Sequence, residues 1–287
     1  MTQLEFKQLS AAIDDYDLIL FDIWGVIVEG GEVYDGVVDA INKVILQKEV
    51  IFLSNAPRPA FKVINTLRGW GISDLTEEMI TTSGDLARKI ILQKKESLGG
   101  RNPVIYHLGA DRNDDILSDF DHDLTDDLDK AEVFLLSIYR DDNEDIHEFD
   151  ELLKQAAKKP NLLNICSNPD TTIPKRGSLR YCAGYFAEII EQHGGEVVYT
   201  GKPKTTIYDE IFRKKPNIKK NRILMVGDTF ETDILGANDS GIHSALVLSG
   251  NSEPFHNMHS AMEDKLVALQ KRGMKVGSMP NFVTKLV

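Results

Sequence analysis

Two cysteines in 287 residues, Cys166 and Cys182, are too few for a disulfide framework or a thiolate metal cluster, and they do not form a Cys-x-x-Cys motif. They read as small buried hydrophobes, and a reducing, cytoplasmic compartment is the expected setting. Long apolar runs are missing as well: the longest extend over about five residues, against the ~20 that span a bilayer. The first residues are neither basic nor followed by a small-residue cleavage site, so no secretory signal is expected. Basic charge is scarce. With 33 Lys+Arg against 45 Asp+Glu, the net charge is -12. That balance disfavours nucleic acid and anionic membranes as partners. No internal repeat or low-complexity linker interrupts the chain.

What is present is an alternation of short apolar runs with amphipathic stretches. Buried strands are expected over 18–21, 50–53, 103–108, 133–138, 162–166, 196–199, 222–226 and 245–248. Helices are expected over 36–47, 61–68, 83–98, 149–158, 179–192, 207–213, 233–240 and 259–271. Unbroken apolar strands between helices point to βαβ units and parallel sheets, hence to an α/β fold. The length suggests two domains. The stretch 111–150 holds sixteen acidic residues and three basic ones, Arg112, Lys130 and Arg140. A buried-looking strand crosses it, so it reads as a solvated face of a folded region, with a cation or a basic partner surface as the alternative.

Three strand ends carry polar residues suited to chemistry. Asp22 follows the first strand, Ser54-Asn55 the second, and Asp228 the strand at 222–226. Ligands of parallel α/β sheets bind beyond the carboxyl ends of the strands. Gly201-Lys202-Pro203 and a further carboxylate, Asp233, complete the set.

In order and spacing these motifs resemble those of the haloacid dehalogenase superfamily, specifically the NagD-like class with a large α/β cap inserted between its second and third motifs. Asp22-Ile23-Trp24-Gly25-Val26 stands at the first motif, Leu53-Ser54-Asn55 at the second, Gly201-Lys202-Pro203 at the third, and Gly227-Asp228 with Asp233 at the fourth. Thr81-Thr82-Ser83-Gly84 and Asn168-Pro169-Asp170 match patterns associated with the cap. The resemblance implies a Rossmann-like core with a parallel sheet, over 1–84 and 200–287, and an inserted α/β cap of the C2 type over 85–199.

It also implies roles. Asp22 would be a nucleophile attacking a phosphoryl centre. Mg2+ would be held by Asp22, Asp228 and the backbone carbonyl of Trp24, with Asp233 as a ligand or a supporting carboxylate that can also cap its helix. Ser54 and the amide of Asn55 would bind phosphate, and Lys202 would neutralise charge there. Asn168 and Asp170 would face the substrate from the cap, although Asn-Pro-Asp is equally an ordinary turn sequence. The implied partner is a small phosphorylated metabolite, and the implied assembly a homodimer formed through the cap.

One position departs from the pattern. Phosphatases of this superfamily usually carry a second Asp two residues after the nucleophile, which protonates the leaving oxygen. Here Trp24 stands there. An indole has no proton that titrates near neutrality, and such acid–base catalysis is typically worth about 10²–10⁴-fold. Four readings stay open. The substrate can have a good leaving group. Another residue, such as Asp35, His107 or Asp170, or the substrate itself, can supply the proton. The reaction can be at carbon, as in the dehalogenases. Or the site can bind a phosphometabolite with little turnover, as a sensor or regulatory module. Trp24 can be a core or pocket-lining ring in all four.

Overall fold

The computed structural model describes residues 3–109, 111–175 and 178–287. The side chains of Asp111, Arg112 and Asp114, part of the acidic stretch, lie outside the described residues. The chain forms two compact units. One comprises Met1–Ser54, Phe61–Thr81 and Lys202–Val287, the other Asn55–Ala60 and Thr82–Gly201.

The first unit is built on a six-stranded sheet in the order Phe282–Thr284, His243–Val247, Ile223–Gly227, Leu18–Phe21, Glu49–Ser54, Ile80–Thr82. Its central strand, Leu18–Phe21, is buried at every residue and pairs in parallel with both neighbours. A strand covered on both faces needs apolar side chains at successive positions, and this is why the run reads as unbroken rather than alternating. Register then determines what meets at the carboxyl edge. Phe21 lies beside Val226 on one side and Phe52 on the other, so the residues just beyond these partners, Asp22, Asp228 and Ser54, emerge at one level.

The second unit has its own parallel sheet, in the order Val197–Tyr199, Leu163–Cys166, Val133–Ser137, Val104–Gly109, Asp123–Leu124. Phe134 and Leu136 pack on one side with Phe186 and Ile190, while Val133 and Leu135 pack on the other with Ile91 and Ile105. A three-stranded antiparallel sheet, Thr172–Lys175, Ser178–Cys182 and Tyr139–Asp141, accompanies it. The whole is a Rossmann-like α/β core with an inserted α/β cap. No helix among the described residues is long and apolar enough to cross a membrane. Both cysteines are buried, and among the described residues neither forms a disulfide.

Two expected helices are corrected. The helix expected over 179–192 begins at Ala183, and Ser178–Cys182 is a strand. Arg180 is paired on both edges, with Ile173 and with Asp141, and its guanidinium also bonds the Asp141 carboxylate. Pairing from both sides overrides a local helical pattern. The helix expected over 259–271 runs Met262–Val276 instead. Gly273 does not end it, because it is a close contact point for Met279 and Phe230. The left-handed Gly277 ends it.

Candidate active site

The carboxyl edge of the larger sheet gathers buried charge. Asp22, Lys202, Asp228 and Asp233 are all buried. Lys202 Nζ donates to Asp22 Oδ1 at 2.6 Å, to Asp233 Oδ1 at 2.7 Å and to the carbonyl of Leu53 at 3.2 Å. One ammonium thereby ties together the ends of two strands and the turn that follows a third. Asp233 lies in a single wide turn, Phe230–Ile234, that opens the following helix. Its Oδ2 accepts from the amides of Asp228 and Thr229 at 3.1 Å each. A side chain on Gly227 would overlap the Asp233 carboxylate, so only glycine allows this approach.

Asp228 is held by a separate loop. Its Oδ2 accepts from the amide of Asn251 at 2.6 Å and its Oδ1 from the hydroxyl of Thr229 at 3.2 Å, while Asn251 Nδ2 donates to Thr229 Oγ1 at 2.7 Å. Ser249 Oγ donates to the carbonyl of Gly25 at 2.6 Å. Gly25 has φ +87°, and a Cβ there would overlap the Asp228 carboxylate.

The electrostatics follow from counting. Asp22, Asp228 and Asp233 offer carboxylate oxygens within 4.8 Å of one another, facing one ammonium. Burial, opposed by Lys202 and reinforced by Asp233, pushes the Asp22 carboxyl up to about 7. Burial, with Asp233 and Asp22 beside it, raises Asp228 well above its usual range. Burial alone would lower Lys202, but Asp22 and Asp233 more than offset it and keep the ammonium charged. The site has a surplus of negative charge and hard oxygen donors, which suits a divalent metal ion.

Residues 16–241 match the family of haloacid dehalogenase-like hydrolases. The chain belongs to that family. Among solved structures, it superposes on a haloacid dehalogenase-like hydrolase from Brucella suis 1330 with a TM-score of 0.76 and 26% identity, over 97% of this chain and 98% of the other. It is 24% identical to phosphoglycolate phosphatase 2 of Arabidopsis thaliana, over 87% of each chain. It is also 24% identical to an acid sugar phosphatase of Staphylococcus epidermidis, over 83% of this chain and 88% of that one.

In this haloacid dehalogenase-like hydrolase the Trp24 ring is neither core nor buried: the side chain is 47% exposed. Asp35 is exposed too. His107 lies in the inserted unit, where Nε2 is 2.7 Å from Ser137 Oγ. Ser54 and Asn55 are buried at the end of their strand. Asn55 Nδ2 donates to Asp170 Oδ1 at 2.9 Å, and Gly201 permits the close approach of Asn55 and Pro169. Asn168 Oδ1 accepts from the Asp170 amide at 3.2 Å, so its side-chain oxygen closes its own turn. In the other cap-associated motif Thr82 caps the helix Ser83–Ser97 by accepting from the Asp85 amide, and Gly84 packs on the backbone of Arg58.

Ser249, Asn251 and Thr229 were not foreseen from the sequence. The signal was available: Ser249-Gly250-Asn251 follows the strand His243–Val247 and is a further polar strand end. It lies on the edge that holds Asp22 and Asp228.

Proposed function

We propose that this hydrolase is a Mg2+-dependent phosphatase of the NagD-like kind, acting on a small phosphorylated metabolite through an aspartyl-phosphate on Asp22. The observation that carries the reading is the buried Asp22–Lys202–Asp233 chain beside Asp228. Asp22, Asp228 and the Trp24 carbonyl would hold the metal, with Asp233 supporting them. When bound, Mg2+ supplies the positive charge that lets a carboxylate approach a phosphoryl group.

The chain's own groups do the rest. A carboxylate oxygen of Asp22 attacks phosphorus while the bond to the leaving oxygen breaks and its electron pair departs with that oxygen. Lys202 opposes the burial that raises Asp22, aims its carboxylate, and stays protonated throughout. The Ser54 hydroxyl and the Asn55 amide donate to phosphoryl oxygens, with Asn55 oriented by Asp170. Water then attacks the aspartyl-phosphate, releases phosphate and restores the carboxylate. The relatives' names support phosphate monoesters as the class: they are a phosphoglycolate phosphatase and an acid sugar phosphatase. The homodimer and the cytoplasmic setting belong to the same reading.

Phosphate release tests it, measured over alkyl, aryl, nucleotide, anhydride and acyl phosphates with and without Mg2+, beside Asp22→Asn. Release that needs both Mg2+ and Asp22 is expected. Trp24 favours one second reading, a phosphometabolite-binding module with little turnover. No release above the Asp22→Asn background, combined with tight phosphometabolite binding, would replace the first reading with this one.

A further inference from the structure

The hairpin Val28–Glu29/Glu32–Val33 follows directly on the loop that carries Trp24, and by itself it has little to hold it. Each strand has two residues, and even a longer hairpin is at best marginally stable alone in water. Glu29 stands opposite Glu32, a like-charge pair that weakens the pairing further. Its position therefore comes from contacts outside the hairpin.

Two sets of contacts lead to the candidate metal site. The first is backbone. The Gly25 amide donates to the Val28 carbonyl at 2.8 Å, and the Tyr34 amide to the Ile27 carbonyl at 3.0 Å. The hairpin is thereby knit to the loop with the Trp24 carbonyl. The second runs through the Tyr34 side chain. Tyr34 Oη donates to Glu29 Oε2 at 2.6 Å, and the amide of Gly250 acts on the same oxygen as a donor. Burial and Glu29 push the phenol up, so the hydroxyl keeps its proton and keeps donating. Gly250 has no slack: a Cβ there would overlap the Asp228 carboxylate and the Gly25 backbone. Its neighbours hold the same two groups, Ser249 through the Gly25 carbonyl and Asn251 through Asp228.

From these contacts we propose that Tyr34 and Glu29 are positioning residues for the metal site, strapping the hairpin to the 249–251 loop and so setting the spacing between the Trp24 carbonyl and Asp228. This rests on the Mg2+ reading above and adds to it the residues that select the ion. They act through the two loops, not as ligands. Mg2+ demands near-ideal octahedral geometry with ligands at about 2.0–2.1 Å, whereas Ca2+ accepts about 2.3–2.6 Å and irregular arrangements. A strap that holds two ligand-bearing loops together favours the smaller, stricter ion.

Calorimetric titration of the full chain with Mg2+ and with Ca2+, in the absence of substrate, tests the strap. Tyr34→Phe keeps the ring and removes the hydroxyl. It should weaken Mg2+ binding about 3–10-fold, the worth of one hydrogen bond. Ca2+ affinity should stay within about 2-fold, because its coordination tolerates the looser spacing. Glu29→Ala should give the same loss, and the double variant no more than either alone, since both break one link. Glu29→Gln, whose side-chain carbonyl still accepts from the phenol, should retain most of the preference for Mg2+.

Unchanged Mg2+ affinity in Tyr34→Phe and Glu29→Ala would overturn the strap while leaving the Mg2+ reading intact. A loss of equal size for both ions would also overturn it, since general loosening of the loops gives that result. If Tyr34→Phe does not fold, the two Glu29 variants decide by the same criteria. A wild type that binds neither ion would end the Mg2+ reading, and the strap with it.

Discussion

Lys202 Nζ lies 2.6 Å from Asp22 Oδ1, although the two residues are 180 positions apart in the chain. The ammonium sits where two strand ends meet the turn that follows a third strand, and it compensates two carboxylates at once. Breaking a buried pair on one side leaves a charge with neither water nor a partner.

Lys202→Met is therefore expected to cost about 3–5 kcal/mol of stability as well as activity. Urea denaturation checks this. Lys202→Arg should not restore the wild-type midpoint, because the side chain is 2% exposed and a branched guanidinium has no room there. An unchanged midpoint in Lys202→Met would mean that the three carboxylates do not need their cation.

The surplus of carboxylates gives opposite signs with and without metal. Mg2+ at about 100 times its Kd should stabilise the wild type by about 2.7 kcal/mol, seen as a rise in Tm. Asp228→Asn should lose that rise. In metal-free buffer it should be at least as stable as the wild type, since one of three clustered carboxylates has been neutralised. A Tm that rises equally with Mg2+ in both proteins would take Asp228 out of the metal site.

Gly25→Ala joins two strains. The residue has φ +87°, and the new Cβ would meet the Asp228 carboxylate. The backbone cost alone is of order 1–3 kcal/mol. Displacement of Asp228 should weaken Mg2+ affinity in addition, which calorimetric titration can resolve. Gly31→Ala is the control: its φ is +90° and nothing lies within 4 Å of the new Cβ. It should share the backbone cost and leave metal affinity unchanged.

His256 sets an acid limit on stability. It is buried, its Nδ1 has no hydrogen-bond partner among the described residues, and its Nε2 lies 3.4 Å from Ser252 Oγ. Burial, with Lys265, Lys285 and His259 adding to it, pushes the imidazole down to about 4 from its ordinary 6.5. The unfolded chain then binds the proton more readily than the native one, so stability falls as pH drops from about 6.5 towards 4. Above 6.5 this contribution is complete and flat. Chemical denaturation across that range should show the slope in wild type, and His256→Leu should remove the His256 share of it.

Much of the architecture was legible because a doubly covered parallel strand leaves an unbroken apolar run. Leu18–Phe21 and Ile223–Gly227 lie where such runs stand, and the polar residues just past them mark the ligand edge. What was not legible depended on partners distant in the chain. Ser178–Cys182 looks helical alone and is a strand because Thr172–Lys175 and Tyr139–Asp141 flank it. The short hairpin Val28–Glu29/Glu32–Val33, turning at left-handed Gly30 and Gly31, is too brief for any periodic pattern to register.

The sequence by itself determined the α/β class, the motif order and the identity of the charged groups, because strand-end chemistry and hydrophobic runs are local properties. Tertiary structure alone decided that one buried ammonium would serve both Asp22 and Asp233, that the 249–251 loop would hold Asp228, and that the Trp24 indole would lie exposed against Trp70. Each of these depends on the register of neighbouring strands and on which groups burial forces to share a partner, and neither is written in any single stretch of chain.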